Sequence, residues 1–553
     1  PRLTVTHWLI IIIASIGFLF DTYELLMTPL VGVPAIAELL KLPPNHPEVT
    51  GWMGRMLWMT ALCGGTFGLL GGWLIDRFGR KTIMAAAIFL YAFSPFAAAF
   101  STTLGSFVFF RCTTFIGVCV EFVAAITWLA EMFPDKRQKE IVLGWTQAFA
   151  SVGGIVVTAV SAWISTHANS LPALPLSPAW NLHASWRYLL MTGLLPAIPI
   201  ALMLPFVPES LVWRERRASG NFQRPSFGAL FTPALRRTTL VAAALSACAY
   251  AAAFGALQIT TRSVVPGLPE LAEARKELLP LRQQASELNK QIDAVMPSFR
   301  KALAEIPELD ALTTERAQTR IAQREAKKAN DTEKLAELGK QFAGYDAELD
   351  KLTALHLEAK ETVIAREKLL KALGDNRAQQ APATAAISER GDKVQLGQET
   401  GGLTGRILLA VLLLTAISRG RMLRLFLVPG LIMFFLTYTQ LYHTGGNAFA
   451  IGIFFCGLCV VAQFSYFGEY LPKAFPLHLR GTGGSFATNV GGRMIGTSAA
   501  FLSTNIIAPM LKPSPGFDQY ALAAGITGVG VFAIALVLSY FLPEPPAETS
   551  TSN

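Results

Sequence analysis

The feature that most limits the fold of this chain is a series of apolar runs, each close to twenty residues long. A helical run of that length matches the hydrocarbon thickness of a bilayer. Of the 553 residues, 52% are hydrophobic and 15% are charged, against roughly a quarter in soluble domains. The pattern predicts an all-α polytopic membrane protein with twelve spans, at about 8–30, 52–74, 82–101, 106–130, 141–165, 187–207, 238–259, 403–418, 425–442, 447–468, 484–508 and 518–542.

The loops between these runs alternate in charge. Lys and Arg concentrate in every second loop, at 75–81, 135–140, 208–237, 418–424 and 469–483. The positive-inside rule places these loops, and both termini, on the cytoplasmic side. We therefore expect a multi-pass protein of a bacterial inner membrane. The net charge of +9 follows from this loop pattern and does not indicate a nucleic-acid partner.

Short motifs recur between the two halves of the chain. Glu131-Met-Phe-Pro134 recurs as Glu469-Tyr-Leu-Pro472, and the motif at 206–210 recurs at 541–545. A reduced copy of Gly79-Arg80 maps to Gly420-Arg421. Such a repeat predicts two six-helix bundles. The expected units are a first bundle at 1–207, a cytoplasmic linker at 208–237, a seventh span at 238–260, an insert at 261–402, and spans eight to twelve with a tail at 403–553.

The insert at 261–402 is charged, and by loop parity it lies outside the cytoplasm. Apolar residues follow a 3–4 spacing through 281–306 and again through 335–373, which predicts an antiparallel coiled-coil hairpin. We expect a turn near Lys328–Thr332 and a kink or break of the first arm at Pro297 and Pro307. Arms of about forty residues would project roughly 60 Å. Residues 376–402 are predicted to be a flexible return linker.

The loop between spans two and three is Gly72-Trp-Leu-Ile-Asp-Arg-Phe-Gly-Arg-Lys81. Gly79 permits a tight turn, and Asp76 can pair with nearby cations or cap a helix. The pattern G-x-L-x-D-R-x-G-R-K resembles the loop signature of the major facilitator superfamily of transporters. The resemblance implies two bundles that rock about a central site, and a cytoplasmic latch. The latch candidates are Gly72, Asp76, Arg77, Gly79, Arg80, Lys81, Glu131, Arg137, Glu469 and Arg480. The alternative is an ordinary positive-inside loop.

Ionisable residues inside predicted spans are expensive and usually functional, and four of them lie on spans one and four. Asp21 and Glu24 are three residues apart, hence on one helix face. Arg111 and Glu121 share a broad face of span four. The first pair resembles the D-x-x-D of aromatic-acid–proton and phosphate–proton symporters, and Arg111 resembles the span-four arginine of sugar porters. We take all four as proton-coupling candidates. The alternative is that they form structural ion pairs between helices.

Polar residues on spans one, four, five, seven and eleven are candidates for substrate binding. Asn489 and Arg493 are four residues apart and form a donor cluster suited to a carboxylate or a phosphate. Arg493 could instead clamp helices, and Gln147 could be an interhelical hydrogen-bond partner. The full candidate set is Tyr23, Arg111, Trp145, Gln147, Gln258, Asn489 and Arg493.

The sequence contains no Walker-type phosphate loop, nucleophile–base arrangement or metal-ligand spacing. We therefore expect no enzyme activity, no cofactor and no metal. The Glu-x-x-Pro and Pro-Glu-Ser motifs resemble the sugar-porter and metabolite–proton symporter branches. The expected function is proton-coupled symport of a small organic anion, with a sugar or polyol as the alternative substrate. A further alternative is a sensor or scaffold, in which residues 270–373 bind an extracytoplasmic partner or self-associate.

Overall fold

The computed structural model is helical throughout the residues it describes, which are 3–42, 47–133, 135–176, 180–195, 197–219, 225–328, 331–354, 356–415, 417–511 and 519–545. The first half of the chain forms α1 (Val5–Leu40), α2 (Pro47–Phe78), α3 (Arg80–Ala98), α4 (Leu104–Met132), α5 (Lys136–His167), α6 (Ser185–Met191), α7 (Ala197–Met203) and α8 (Leu211–Ala218).

The remaining helices are α9 (Arg236–Ala252), α10 (Ala272–Glu305), α11 (Glu308–Lys328), α12 (Thr332–Leu352), α13 (Leu357–Leu412), α14 (Arg419–Leu436), α15 (Tyr442–Thr444), α16 (Gly446–Ala474), α17 (Arg480–Ser485), α18 (Ala499–Phe501), α19 (Ala508–Met510) and α20 (Gln519–Ser539). Segments with π-helical bonding lie at Ala253–Leu257, Thr260–Val264, Thr437–Leu441, Phe486–Gly496 and Leu502–Ile507.

Ten of the described helical segments are long and apolar enough to cross a membrane. They correspond to ten of the twelve predicted spans. Predicted span eight lies in the last part of α13, which shows no break at residue 403. Predicted span eleven is assembled from α17, α18, α19 and the π-helical segments between them, so no single regular helix covers it.

Each half packs around its own apolar interior, and α2, α4 and α5 of the first half contact the second half. In the first half, α1 packs on α4 and α5, and α4 packs on α2 and α3. In the second half, α16 packs on α13 and α14, and α9 packs on the segment Phe486–Gly496. The halves meet where α2 lies against α17 and Phe486–Gly496, and where α5 lies against α13 and α16. Side chains at these contacts are therefore the ones that can sense relative motion of the halves.

The segment between α9 and α14 differs from the expectation of one two-armed hairpin followed by a linker. α10 packs on α13, and α11 packs on α12. The predicted break at Pro307 is confirmed, because α10 ends at Glu305 and α11 begins at Glu308, whereas Pro297 lies inside α10. α11 ends at Lys328 and α12 begins at Thr332, so the predicted turn falls partly outside the described residues.

The prediction of a flexible linker at 376–402 is wrong. These residues belong to α13, which runs without interruption into the bundle. Ala and Gln are good helix formers, and the glycines serve packing. Gly397, Gly401 and Gly405 recur every fourth residue and face the backbone oxygens of Ala450, Phe454 and Leu458 on α16. The glycine content thus allows close helix contact instead of chain flexibility.

The inserted helices contact the ends of α1 and α16. Lys41 Nζ lies 3.1 Å from Asp310 Oδ1, and Arg366 Nη2 donates to the Lys41 carbonyl at 3.0 Å. Glu270 pairs with Arg390 at 3.0 Å and also accepts from the Gly446 amide. Burial lowers the pKa of Arg366 to about 10. We call this side of the molecule the insert end.

Candidate transport site and latches

The first group of site residues pairs a carboxylate of α1 with an arginine of α4. Glu24 Oε2 lies 3.6 Å from Arg111 Nη1, and Arg111 Nη2 donates to Thr28 Oγ1 at 2.6 Å. Arg111 and Glu24 are both almost fully buried. The side chain of Glu24 fills the space beside Gly193, which leaves no room for a larger residue there. This pair lies within the first half of the molecule.

A second ion pair crosses between the halves. Arg493 Nη2 donates to Asp21 Oδ2 at 3.3 Å, and Arg493 Nη1 donates to Asn489 Oδ1 at 3.2 Å and to the Val118 carbonyl at 3.3 Å. Asn489 Nδ2 donates in turn to the Cys119 carbonyl at 3.1 Å. The π-helical segment of the second half therefore holds its arginine against both α1 and α4.

Glu121 lies near this bridge without a hydrogen bond of its own. Its side chain is fully buried, and neither carboxyl oxygen has a partner within the described part of the chain. It packs directly against Gly17 of α1, one turn before Asp21. The hydroxyl of Tyr91 is likewise buried and unpartnered there. The first half thus contributes Asp21, Glu121 and Tyr91 to one polar region.

Aromatic rings surround the guanidinium of Arg493. Its Cζ lies 5.5 Å from the ring centre of Phe122 and 6.0 Å from that of Phe115. Tyr250, on α9, contacts Gly492, the residue before Arg493, and packs on Phe464 at 4.8 Å. Phe115 and Phe122 therefore border the guanidinium of Arg493.

The remaining predicted substrate residues lie in different surroundings. Tyr23 Oη is 2.6 Å from Thr192 Oγ1. Gln147 is buried against Gly468 and donates to the Leu143 carbonyl at 2.9 Å. Gln258 is half-buried between two π-helical segments. Trp145 is 46% exposed in an apolar groove between α1 and α5, so the structure does not bring it to the cluster.

Asp76 connects the first half to the start of α17. Its carboxylate accepts from the amides of Gly481 at 2.9 Å and Thr482 at 2.8 Å, and from the Thr482 hydroxyl at 2.7 Å. Gly72 lets α2 approach Gly481 closely. A carboxylate at a helix N-terminus is stabilised by the free amides and the helix dipole. The residue predicted as a latch therefore caps a helix of the opposite half.

Arg80 and Glu131 form the centre of the same network. Arg80 donates to both Glu131 oxygens, from Nε at 2.9 Å and from Nη2 at 3.0 Å, and Arg80 Nη2 also lies 3.4 Å from Asp76 Oδ1. Arg80 Nη2 further donates to the Leu477 carbonyl of the second half at 2.8 Å. Arg480 lies 3.5 Å from Glu131. We call this network the first latch and this side of the molecule the latch end.

A second latch repeats the pattern with the roles of the halves exchanged. Arg419 Nη2 lies 2.6 Å from Glu140 of the first half and 3.0 Å from Glu469 of its own half. Lys473 also pairs with Glu469, and lies 3.5 Å from Glu140. In the first latch Arg80 of the first half binds the second half, and in the second latch Arg419 of the second half binds the first half.

Helix caps correct the register of the internal repeat. Glu209 accepts from the amides of Arg80 at 2.9 Å and Lys81 at 3.0 Å, and Glu544 accepts from those of Arg419 and Gly420, both at 3.1 Å. The structural equivalent of Arg80 is thus Arg419. The predicted match of Gly79-Arg80 to Gly420-Arg421 is wrong, because it compared the short Gly-Arg sequences without considering the carboxylate that caps each helix. Arg421 is also exposed, unlike Arg80.

The other predicted latch residues have smaller roles or lie apart. Gly79 adopts a φ of 112°, which favours glycine at the turn. Lys81 Nζ donates to the Val207 carbonyl at 2.7 Å. Arg77 is exposed and stacks 4.9 Å from the ring centre of Trp73. Arg137 is also exposed, so the structure does not bring it to either network.

Sequence reasoning missed several residues of these networks. Glu209 and Glu544 lie within the repeated motif at 206–210 and 541–545, yet neither was given a role. Glu140 and Lys473 carried no motif signal. Arg406 lies inside predicted span eight, so the general expectation for charges within a membrane span could have identified it.

Comparisons with known proteins point to one family. The model of the Major Facilitator Superfamily matches residues 8–272. The niacin transporter NiaP of Acinetobacter baylyi is 27% identical over 214 residues, 38% of this chain and 43% of the relative. The cis,cis-muconate transport protein of the same organism is 29% identical over 157 residues, 28% of this chain and 34% of the relative. The matched segment thus spans less than half of either relative.

Solved structures resemble the chain over nearly its whole length. The proton:xylose symporter XylE, bound to 6-bromo-6-deoxy-D-glucose, superimposes with a TM-score of 0.56 at 17% identity, over 97% of this chain and 96% of that one. The transporter FucP, in its outward conformation, gives 0.54 at 13% identity, over 97% and 98%. At this identity the likeness concerns the fold alone.

Proposed function

We propose that this chain is a secondary active transporter of the major facilitator superfamily, whose family model matches residues 8–272, and that it carries a small organic anion together with a proton. The observation that carries the proposal is the Asp21–Arg493 pair, which joins the two halves at 3.3 Å. Both side chains lie inside the helical bundle, and nearby Glu121 has no hydrogen-bond partner among the residues that the structure describes.

The pair offers a simple coupling between proton and anion. Without substrate, the guanidinium of Arg493 donates a hydrogen bond to the carboxylate of Asp21. A carboxylate substrate needs the same donors, since arginine binds carboxylates by paired hydrogen bonds. A proton on Asp21 removes the competing charge and frees Arg493 for the anion. Proton and anion therefore bind together, and each favours the other.

Glu121 is the second proton-holding group in this mechanism. An ionised carboxylate without a donor is expensive to bury, whereas its protonated form is not. Glu121 lies on α4 and packs against Gly17 of α1, which is one helical turn before Asp21. Either carboxyl group can therefore hold the proton. Glu24 and Arg111 complete the polar interior of the first half and hold α1 against α4.

Alternating access gives the latches their role. The halves rock about the central site, and the buried contacts of Asp76, Arg80 and Arg419 close one end. We assign that end to the cytoplasm, with both termini, in a twelve-span layout of a bacterial inner membrane. The insert at 261–402 then lies outside the cytoplasm. Opening inward requires both latches to separate.

The organic-anion assignment rests on the arginine and its aromatic surroundings. The matched relatives are named for niacin and cis,cis-muconate, and both are unsaturated carboxylates. A sugar or polyol is the second candidate, favoured by the arabinose-proton symporter of Bacillus subtilis, which is 23% identical over 212 residues. A neutral sugar carries no charge, so Asp21 alone would compensate the positive charge of Arg493.

A sensor or scaffold is the candidate from a different functional class. The exposed helices of the insert favour it, because they present a surface for an extracytoplasmic partner or for a second copy of the chain. Deletion of residues 270–395 separates the two ideas. Unchanged uptake makes the insert accessory to transport, and loss of a captured partner without any transported solute supports the scaffold.

Counterflow in proteoliposomes tests the transport proposal. Radiolabelled niacin, muconate and xylose are offered separately, with and without a pH gradient that is acidic outside. We expect exchange of an acid but not of xylose, and faster net uptake under the gradient. Asp21→Asn should keep exchange and abolish the effect of pH, whereas Glu277→Gln, on the exposed face of α10, should change neither. Uptake indifferent to the gradient contradicts symport, and exchange of xylose alone supports the sugar carrier.

A further inference from the structure

Arg406 is a half-buried cation of the second half that the transport mechanism above does not use. It lies on α13, directly after Gly405, whose missing side chain lets α13 approach the Leu458 carbonyl of α16. This close contact carries Arg406 into the junction of α13, α16 and α5. The side chain is thus held at the boundary between the two halves.

The described partners of Arg406 are neutral. Nη1 donates to the Gln147 carbonyl at 3.0 Å and to Ser465 Oγ at 3.1 Å, while Nε has no partner among the described residues. Glu399 lies two turns earlier on α13, and its carboxylate accepts from the amides of Gln395 at 2.7 Å and Gln398 at 3.4 Å. Buried cations are ordinarily paired directly with an anion. Arg406 therefore keeps donors that no carboxylate of the described chain occupies.

Tyr250 on α9 connects the surroundings of Arg406 and Arg493. Its ring contacts Gly492, the residue before Arg493, and packs at 4.8 Å on Phe464, whose neighbour Ser465 accepts from Arg406. Tyr250 and Arg406 are both half-buried, so each keeps part of its surface accessible. The two guanidinium groups thus face one region from two different elements of the second half.

We propose that Arg406 is a second anion-binding group and that the site takes a dicarboxylate, with one carboxylate on Arg493 and the other on Arg406. The inference rests on the proposed function and narrows its substrate class. A dicarboxylate supplies a carboxylate that can accept directly from Arg406. Once Asp21 carries a proton, the same ligand also takes the donors of Arg493.

Binding of a matched ligand pair to the full-length protein in nanodiscs tests this inference. trans,trans-Muconate and sorbate share the same trans,trans six-carbon diene, and a carboxylate of muconate stands where sorbate has a methyl group. We expect muconate to bind at least 10-fold more tightly than sorbate. Arg406→Gln should weaken muconate binding about 10- to 100-fold, the range of a charge-assisted hydrogen bond, and leave sorbate unchanged. Arg406→Lys should recover part of the loss. Arg493→Gln should weaken both ligands.

Controls separate this role from a structural one. Arg421→Gln removes an exposed arginine of α14 and should leave both affinities unchanged. Equal losses for muconate and sorbate in Arg406→Gln, or no loss for either, overturn the inference. Wild-type protein that binds sorbate as tightly as muconate also overturns it, while organic-anion transport stands. Wild-type protein that binds neither acid overturns both the dicarboxylate inference and the organic-anion assignment.

Discussion

The latch end and the insert end hold the molecule by different kinds of contact. At the latch end, the side chains of Asp76, Arg80 and Glu131 are fully buried. At the insert end, Lys41 and Asp310 keep 23% and 30% of their side-chain surface exposed. A buried network is expensive to break because each separated charge is left without water. Exposed pairs are weak and screened by salt. Under the proposed alternating access, we therefore expect the latch end to set the barrier to motion.

The largest effect is expected from Arg80→Ala. The change leaves Glu131 buried with Ser210 and Arg480 as its remaining partners and removes one partner of Asp76. Loss of one side of a buried ion pair costs about 3–5 kcal/mol of unfolding free energy. Thermal unfolding of the detergent-solubilised protein measures the loss. Arg77→Ala, which removes an exposed stacked arginine of the same loop, should cost less than about 1 kcal/mol. Equal shifts for the two variants would contradict the comparison.

Asp76→Asn tests whether the cap across the halves controls motion. The variant loses the charge that faces the Gly481 and Thr482 amides, worth about 1.5–3 kcal/mol. We expect slower counterflow with substrate affinity largely kept. Asp135→Asn is the matched control, because Asp135 caps α5 within the first half by accepting from the Gln138 amide at 2.9 Å. Lost binding with an intact exchange rate in Asp76→Asn would rule out the latch role.

These contacts show which parts of the molecule the sequence can predict. Apolar run length and charge alternation depend only on local composition, so the helical membrane architecture follows from them. The pairing of Glu24 with a cation of span four was also foreseeable, because charges inside a membrane seek each other. The Asp21–Arg493 bridge joins residues 472 positions apart. Spacing within one helix cannot predict such a contact.

The errors have a common physical origin. Residues 376–402 were predicted to be flexible because their glycines were counted without asking which face they occupy. The register of Arg419 was missed because a capping carboxylate more than a hundred residues away defines it. Trp145 was chosen by its place in span five, and one helix cannot show which of its faces meets lipid. In each case the deciding partner lies on another element.

The ion pairs in the core of the insert offer a test whose expected effect lies between those at the latch end and at the insert end. Arg316 pairs with Glu367 at 2.7 Å and with Asp346 at 2.5 Å, and so ties α11 to both α13 and α12. Burial lowers the pKa of Arg316, but these carboxylates outweigh it and the net pKa is raised. Arg316→Met should destabilise this part by about 2 kcal/mol. Faster hydrogen exchange confined to α11 and α12 would show it, whereas Arg300→Met, at an exposed position, should not change exchange.

The smallest effect is expected from Lys41→Gln at the insert end. The Lys41–Asp310 pair is partly exposed, so its loss should cost at most about 1 kcal/mol. We expect modestly faster hydrogen exchange at 308–312 and an unchanged melting temperature. Wild-type protein in 1 M salt should show the same increase, because the Debye length there is about 3 Å. Lys290→Gln removes an exposed pair inside α10 and should leave 308–312 unaffected. A melting shift as large as that of Arg80→Ala would mean that the insert end, too, is held by a buried network.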